Sequence, residues 1–212
     1  MKSARRTPRP LQLTPEEYLH HARRGLDKFG FHAIPLLVVK GDIVVDEKRV
    51  ASPRTVSLPP ARVLGDVRVR GLSSLESCSL EVEGNLEIVD CPNIIRLSGR
   101  ATTAIIEGAG LESVGADFEC REDMKIRDTP GLSRLNCRVG RTLFLKGEFT
   151  VSAGPAFACW GLVLDGGASL VDASGRRHGG SASSPPQLIR GGRLLVTPSH
   201  ARKKSPPPRE LL

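Results

Sequence analysis

A mainly β fold, a short-coil solenoid with an N-terminal helical cap, is predicted by three features of this 212-residue sequence. Aliphatic residues repeat about every nineteen positions, a bend-containing string alternates with period two on both its sides, and aromatic side chains are nearly absent. The repeat appears when the second apolar residue of each apolar-x-apolar pair is taken as an anchor. Val69, Ile88, Ile105, Ile126, Leu145 and Leu164 then follow at spacings of 19, 17, 21, 19 and 19. Two residues earlier stand Val67, Leu86, Thr103, Met124, Leu143 and Leu162. Six residues after the anchors stand Leu75, Ile94, Leu111, Leu132, Val151 and Leu170, and nine after them Cys78, Leu97, Val114, Leu135, Gly154 and Ala173. Columns that hold phase in this way are what stacked coils require, because each coil buries its apolar side chains against like side chains in the next. With six Phe, one Trp and one Tyr in the whole chain, that core is aliphatic.

The bend-containing string reads LVVKGDIVV from Leu37 to Val45, ARVLGDVRV from Ala61 to Val69 and LEVEGNLEI from Leu80 to Ile88. Looser copies run from Phe118 to Ile126, Cys137 to Leu145 and Leu188 to Val196. Period-two alternation on each side predicts two short strands, each with one face inward. The Gly-Asp or Gly-Asn between them suits a bend that needs positive φ or close backbone approach. The outermost strings place the solenoid at 37–197, and Gly175 to Gln187, rich in Gly, Ser and Pro, reads as an inserted loop.

Ahead of the solenoid, Thr14-Pro15-Glu16-Glu17 has the form of a helix start, with Thr as N-cap, Pro at the first position and Glu at the third. Tyr18, Leu19, Ala22, Leu26 and Phe29 share one helical face and Gly30 is a plausible stop, so residues 14–36 are expected to form a capping helix and its connection. Residues 1–13 and 198–212 are basic, the latter Pro-rich as well, and both are expected to be disordered.

The net charge of +8 points to nucleic acid or anionic membrane until it is located along the chain. Lys2, Arg5, Arg6 and Arg9 at one end, with Arg190, Arg193, Arg202, Lys203, Lys204 and Arg209 against Glu210 at the other, carry more positive charge than the whole molecule does. The body between them is slightly acidic. Nucleic acid or anionic membrane is therefore expected as a partner of the termini alone. Cys78, Cys91, Cys120, Cys137 and Cys159 are odd in number and show neither C-x-x-C nor zinc-ligand spacing. Since no apolar run approaches the ~18 residues of a membrane span, the expectation is a cytoplasmic location, in the producing cell or in a host cell into which the protein is delivered.

Leu86 to Leu97, LEIVDCPNIIRL, resembles the L-x-L-x-x-C-x-x-L-x-x-L core of leucine-rich repeats, and Met124 to Leu135 is similar, with Thr129 where Cys91 stands. At the same ladder position the other coils have Leu72, Gly108, Glu148 and Gly167, and the coils fall just short of the ~20–29 residues of that family. The resemblance is to a degenerate, bacterial kind of leucine-rich-repeat protein. It implies a curved scaffold for protein recognition. A two-sided β-solenoid is the structural alternative.

Motifs for nucleotide, metal and nucleophile are missing, so no cofactor, metal or catalytic residue is expected. His20 and His21 are adjacent and point about 100° apart on a helix, which separates them as ligands. Asp66, Asn85 and Asp123 recur at the bend and would be the starting point of a polysaccharide-active enzyme of the β-solenoid type. Thr142 and Arg193 at the same position argue for turn chemistry instead. The residues expected to meet a partner are outward neighbours of the anchors, Arg68, Arg70, Glu87, Lys125, Arg127 and Lys146, together with Arg176, Arg177 and His178 of the inserted loop. The leading expectation is a non-enzymatic protein-recognition scaffold.

Overall fold

The computed structural model describes residues 11–23, 37–46, 56–179 and 187–190. It is a β-solenoid of about six turns, mainly β, with turns of about nineteen residues. Strands line three sides. The first side stacks Leu11–Leu13, Leu37–Val39, Val56–Val63, Leu75–Val82, Arg96–Ala101 and Phe118–Cys120. On the second side are Ile43–Asp46, Val67–Arg70, Asn85–Val89, Thr103–Glu107 and Met124–Arg127. Two longer strands, Arg138–Lys146 and Ala158–Asp165, turn the corner and serve both sides, which makes the two a single fourteen-stranded sheet. The third side is a separate sheet of Ser113–Val114, Arg134–Leu135, Thr150–Ala153, Ser169–Val171 and Arg177–Gly179.

Pairing between coils is parallel until the C-terminal end and in unbroken register along the second side, so like positions there lie one above another. The inward row on the second side is Val45, Val69, Ile88, Ile106, Ile126, Leu145 and Leu164, each no more than 4% exposed. Each such side chain contributes ~1.5–3 kcal/mol when withdrawn from water, and it is withdrawn only because another coil lies above or below. One expected member is displaced. Ile88 pairs with Ile106, and Ile105 pairs with Glu87 and points outward. The inward pair in that coil is Ala104 and Ile106, in place of the expected Thr103 and Ile105. The anchor spacings become 19, 18, 20, 19 and 19. A one-residue slip turns every side chain of a strand to the opposite face, so burying Thr103 and Ile105 would have exposed Ile106.

Two residues beyond each anchor the chain leaves the second side through a left-handed residue. Gly71, Asp90, Gly108, Asp128, Gly147 and Gly166 occupy this position with φ of 64°, 53°, 57°, 46°, 125° and 64°. Glycine meets no Cβ penalty in this region and aspartate is among the few other residues that visit it, so the column accepts only these two types. Their amides reach the next coil: the N–H of Asp90 donates to Glu107 O and that of Asp128 to Lys146 O.

The helix occupies Pro15–Arg23 with the expected capping box. Thr14 N donates to Glu17 Oε2 at 2.8 Å, and Glu17 N to Thr14 Oγ1 at 3.3 Å. Tyr18 is fully buried, its hydroxyl donating to Pro59 O at 2.8 Å, which pins the helix to the strand Val56–Val63. Leu26, Phe29 and Gly30 lie outside the described residues.

Two boundaries differ from expectation. Leu11–Leu13, placed in the disordered N-terminus, forms a strand parallel to Leu37–Val39, because its alternating apolar residues complete a sheet edge. Within the expected loop 175–187, Arg177–Gly179 returns antiparallel along Ser169–Val171. Gln187–Arg190 likewise runs antiparallel to Ala158–Asp165, so the string beginning at Leu188 is not a further parallel coil. The reversal lets short strands cover the last coil's open backbone edge, which a further turn would otherwise have to do. Residues 1–10, 180–186 and 191–212 are outside the described set.

Ile106→Ala is expected to lower stability by about 2–4 kcal/mol and Ile105→Ala by under about 1 kcal/mol, measured by denaturant unfolding. Equal losses would contradict the register. In the left-handed column, Asp128→Gly should be neutral or stabilising, while Asp128→Val should cost about 1–2 kcal/mol.

Candidate functional surface

The second side presents two outward columns, and the structure places Arg68, Arg70, Glu87, Lys125, Arg127 and Lys146 on them together. Their charges are largely matched by neighbours one coil away. Glu87 accepts from Arg70 and lies 3.8 Å from Arg68 Nε, and Arg68 is also 3.4 Å from Asp66. Arg127 sits 3.7 Å from Glu107, and Lys146 3.6 Å from Asp165. Exposed pairs of this kind contribute ~0–1 kcal/mol each, so their main effect is to remove net charge from the face.

Lys125 takes a different partner, its Nζ lying 5.8 Å from the centroid of the Phe144 ring. In register, Ile105, Lys125, Phe144 and Val163 form one outward column, with the three apolar members half-buried. Trp160, on the same strand as Val163, is 62% exposed. The sequence pattern hides this column because it places Ile105 inward. The apolar Ala104-Ile106 pair beside the polar Thr103-Ile105 pair was the available signal, as was the single Trp in an aromatic-poor chain.

A second ladder also escaped notice. On the first side Arg62, Glu81, Arg100, Glu119 and Arg138 stand in consecutive register, alternating in sign from coil to coil. Arg100 reaches Glu81 at 3.0 Å, while Arg62 turns to Glu83. Opposite charges directly across neighbouring strands favour this register and penalise slippage.

The bend column is made of backbone caps. Asp42 Oδ1 accepts Asp66 N at 2.8 Å, Asp66 Oδ1 accepts Asn85 N at 2.9 Å, and Asp123 Oδ1 accepts Thr142 N at 3.1 Å. A Cβ on Gly65 or Gly84 would fall 2.3 Å or 2.2 Å from the carboxylate oxygen below it. Close approach requires glycine at Gly65 and Gly84, whereas at Gly41 the positive φ of 116° does.

The three residues of the expected loop part company. His178 is only 8% exposed, and its Nε2 lies 2.8 Å from Asp172 Oδ2, so it is an interior group and not a surface one. Arg176 contributes its backbone N–H to Asp172 Oδ1 at 3.0 Å. Arg177 lies outward across the third side, Nε donating to Ser169 Oγ and Nη2 to Thr150 Oγ1, both at 3.2 Å. The Asp172 carboxyl is held well below the usual carboxylate range, first by the Ser174 hydroxyl and then by His178 and nearby backbone amides.

Burial pushes the thiols of Cys78 and Cys137 up to about 12 and those of Cys120 and Cys159 up to about 11. At neutral pH these are thiols, which are poor nucleophiles. Cys91 Sγ donates to Val89 O at 3.4 Å and Thr129 Oγ1 to Arg127 O at 2.9 Å, so the two ladder positions singled out in sequence make equivalent turn bonds. Among the described residues no group of three or more His, Cys, Asp and Glu is placed to hold a metal, and no helix is long and apolar enough to cross a membrane.

The described residues form a β-solenoid with an apolar outward column. No family model matches the sequence, and neither the curated proteins nor the solved structures yield a match.

A carboxyl with a depressed folded-state pKa stabilises the fold above its ordinary value of 3.8 and loses that contribution as pH falls through the folded value. Amide-exchange protection at Ser174 and Arg176 should therefore fall progressively below about pH 4. Asp172→Asn should show weakened protection already at neutral pH, with the acid-dependent step removed.

Proposed function

We propose that this protein is a non-enzymatic recognition scaffold for another protein, engaged through the Ile105, Lys125, Phe144, Val163 column and Trp160 on the strand of Val163. The supporting observation is a half-buried apolar column, with an exposed Trp160 on the strand that carries Val163, on a sheet whose neighbouring charges are already paired. Aromatic anchors on a preorganised surface are where binding energy concentrates in protein interfaces. The surrounding Arg–Glu and Lys–Asp pairs form a polar rim that excludes unsuitable partners more than it adds affinity. The leucine-rich-repeat-like spacing around Cys91 and Thr129 agrees with this reading, and the proposal extends to a bacterial source and delivery into a host cell.

Partner capture from a lysate, followed by identification and reconstitution with purified partner, tests the proposal. Phe144→Ala and Trp160→Ala should each weaken the reconstituted complex by about tenfold or more, while Arg62→Ala on the first side should leave it within about twofold. Equal effects from all three would contradict the assignment of the face. The second reading, attachment to nucleic acid or anionic membrane, is favoured by the concentration of basic residues at the ends. Removing residues 1–10 and 198–212 should abolish salt-sensitive binding to DNA or acidic vesicles under that reading and should leave the protein complex intact under the first.

A further inference from the structure

We propose that the outward side of the third sheet carries a site for a phosphate group, bound by Arg177, the Thr150 hydroxyl and Arg134. The site lies on a different face from the apolar column and does not depend on the recognition reading. Its starting point is the hydroxyl pair beneath the Arg177 guanidinium. Thr150 Oγ1 and Ser169 Oγ are 2.8 Å apart, and each accepts one N–H from Arg177 at 3.2 Å. Ser169 is fully buried while Thr150 is exposed, and their 2.8 Å contact permits either hydroxyl as the donor. A buried hydroxyl proton needs an acceptor, so Ser169 donates to Thr150. With Ser169 assigned as the donor, the Thr150 proton is left outside the pair and free to turn toward solvent beside the guanidinium.

Arg177 is also underused. A guanidinium has five N–H donors, and two are occupied here. Among the described residues no carboxylate lies within 4.0 Å of the Arg177 or Arg134 nitrogens, in contrast to Arg62, Arg68, Arg70, Arg96, Arg100, Arg127 and Arg141. The closest carboxylate in sequence, Asp172, is engaged by Ser174, Arg176 N and His178. Arg177 is held in place by hydroxyls, which fix its orientation without neutralising it.

Arg134 completes the arrangement from the other side. It pairs in register with Ser152, on the strand Thr150–Ala153. Its backbone is therefore one strand spacing, about 4.8 Å, from the strand that carries Thr150. Because Arg177 folds back across Ser169 to Thr150, its guanidinium and Arg134 flank the same strand from opposite sides. Ser152, exposed between them, adds a hydroxyl. Two cations and free O–H groups on three adjacent coils present donors from more than one direction, which suits a tetrahedral oxyanion better than a planar carboxylate.

The phosphate could be free in solution or a monoester on a larger molecule, and the chemistry of recognition is shared. The experiment titrates the full-length protein with inorganic phosphate and, separately, with phenyl phosphate at neutral pH, following the Arg177 Nε–H resonance by NMR. A saturable shift is expected, with tighter binding of inorganic phosphate marking the free anion and tighter binding of phenyl phosphate marking the monoester. Arg177→Gln should weaken binding by about tenfold or more, followed by calorimetry or by the Thr150 resonances, and Arg134→Gln should weaken it several-fold. Arg134 is exposed and makes no side-chain bond among the described residues, so its variant should unfold as the parent does and keeps the test independent of folding. Absence of a saturable response to both probes up to about 10 mM, or unchanged affinity in either variant, would overturn the proposal.

Discussion

The inward row from Val45 to Leu164 is the constraint on which the rest of the molecule depends. No single coil can enclose its own aliphatic side chains, so each is buried only by the coils on either side. Stacking in register then fixes everything that repeats. It brings each left-handed Gly or Asp above the last, sets Asp42, Asp66 and Asp123 of the bend under the next backbone amide, and aligns outward charges across neighbouring strands. These features are consequences of the row as well as supports for it.

The outward surface divides according to how fully those aligned charges satisfy one another. On the first side, alternation of sign from Arg62 to Arg138 favours one register and leaves little net field. On the second, ion pairs surround an apolar column that no described coil covers. On the third, no carboxylate among the described residues neutralises Arg134 or Arg177. The latter two are the places where the fold leaves interaction capacity unspent, and they differ in chemistry, one apolar and aromatic, the other cationic and rich in hydroxyls.

The fold class was legible because its causes recur in the chain. Six coils repeat the same phase, and one misassigned coil does not disturb the others. The helix start was legible for the opposite reason, since Thr14, Pro15 and Glu17 act within one turn of chain. In ATTAIIEG both Ile105 and Ile106 satisfy an apolar pattern, and only pairing with Ile88 decides which is buried. That decision carried the candidate site with it, because the apolar column cannot be recognised while Ile105 is counted inside. The hairpin at Arg177–Gly179 was hidden by its composition: GRRHGG reads as loop, yet the edge left by Ser169–Val171 and the Asp172–His178 contact hold it as strand. The left-handed column was in view throughout as Gly, Asp, Gly, Asp, Gly, Gly two residues past the true anchors, and it emerges only when the Ile105 slip is removed.

Methyl-to-methyl nuclear Overhauser effects in a selectively labelled sample test the stacked row most directly. The account predicts an unbroken chain of contacts running Val69, Ile88, Ile106, Ile126, Leu145, Leu164, with Ile105 outside it. A chain that passes through Ile105, or one that breaks into contacts confined within single coils, would contradict it.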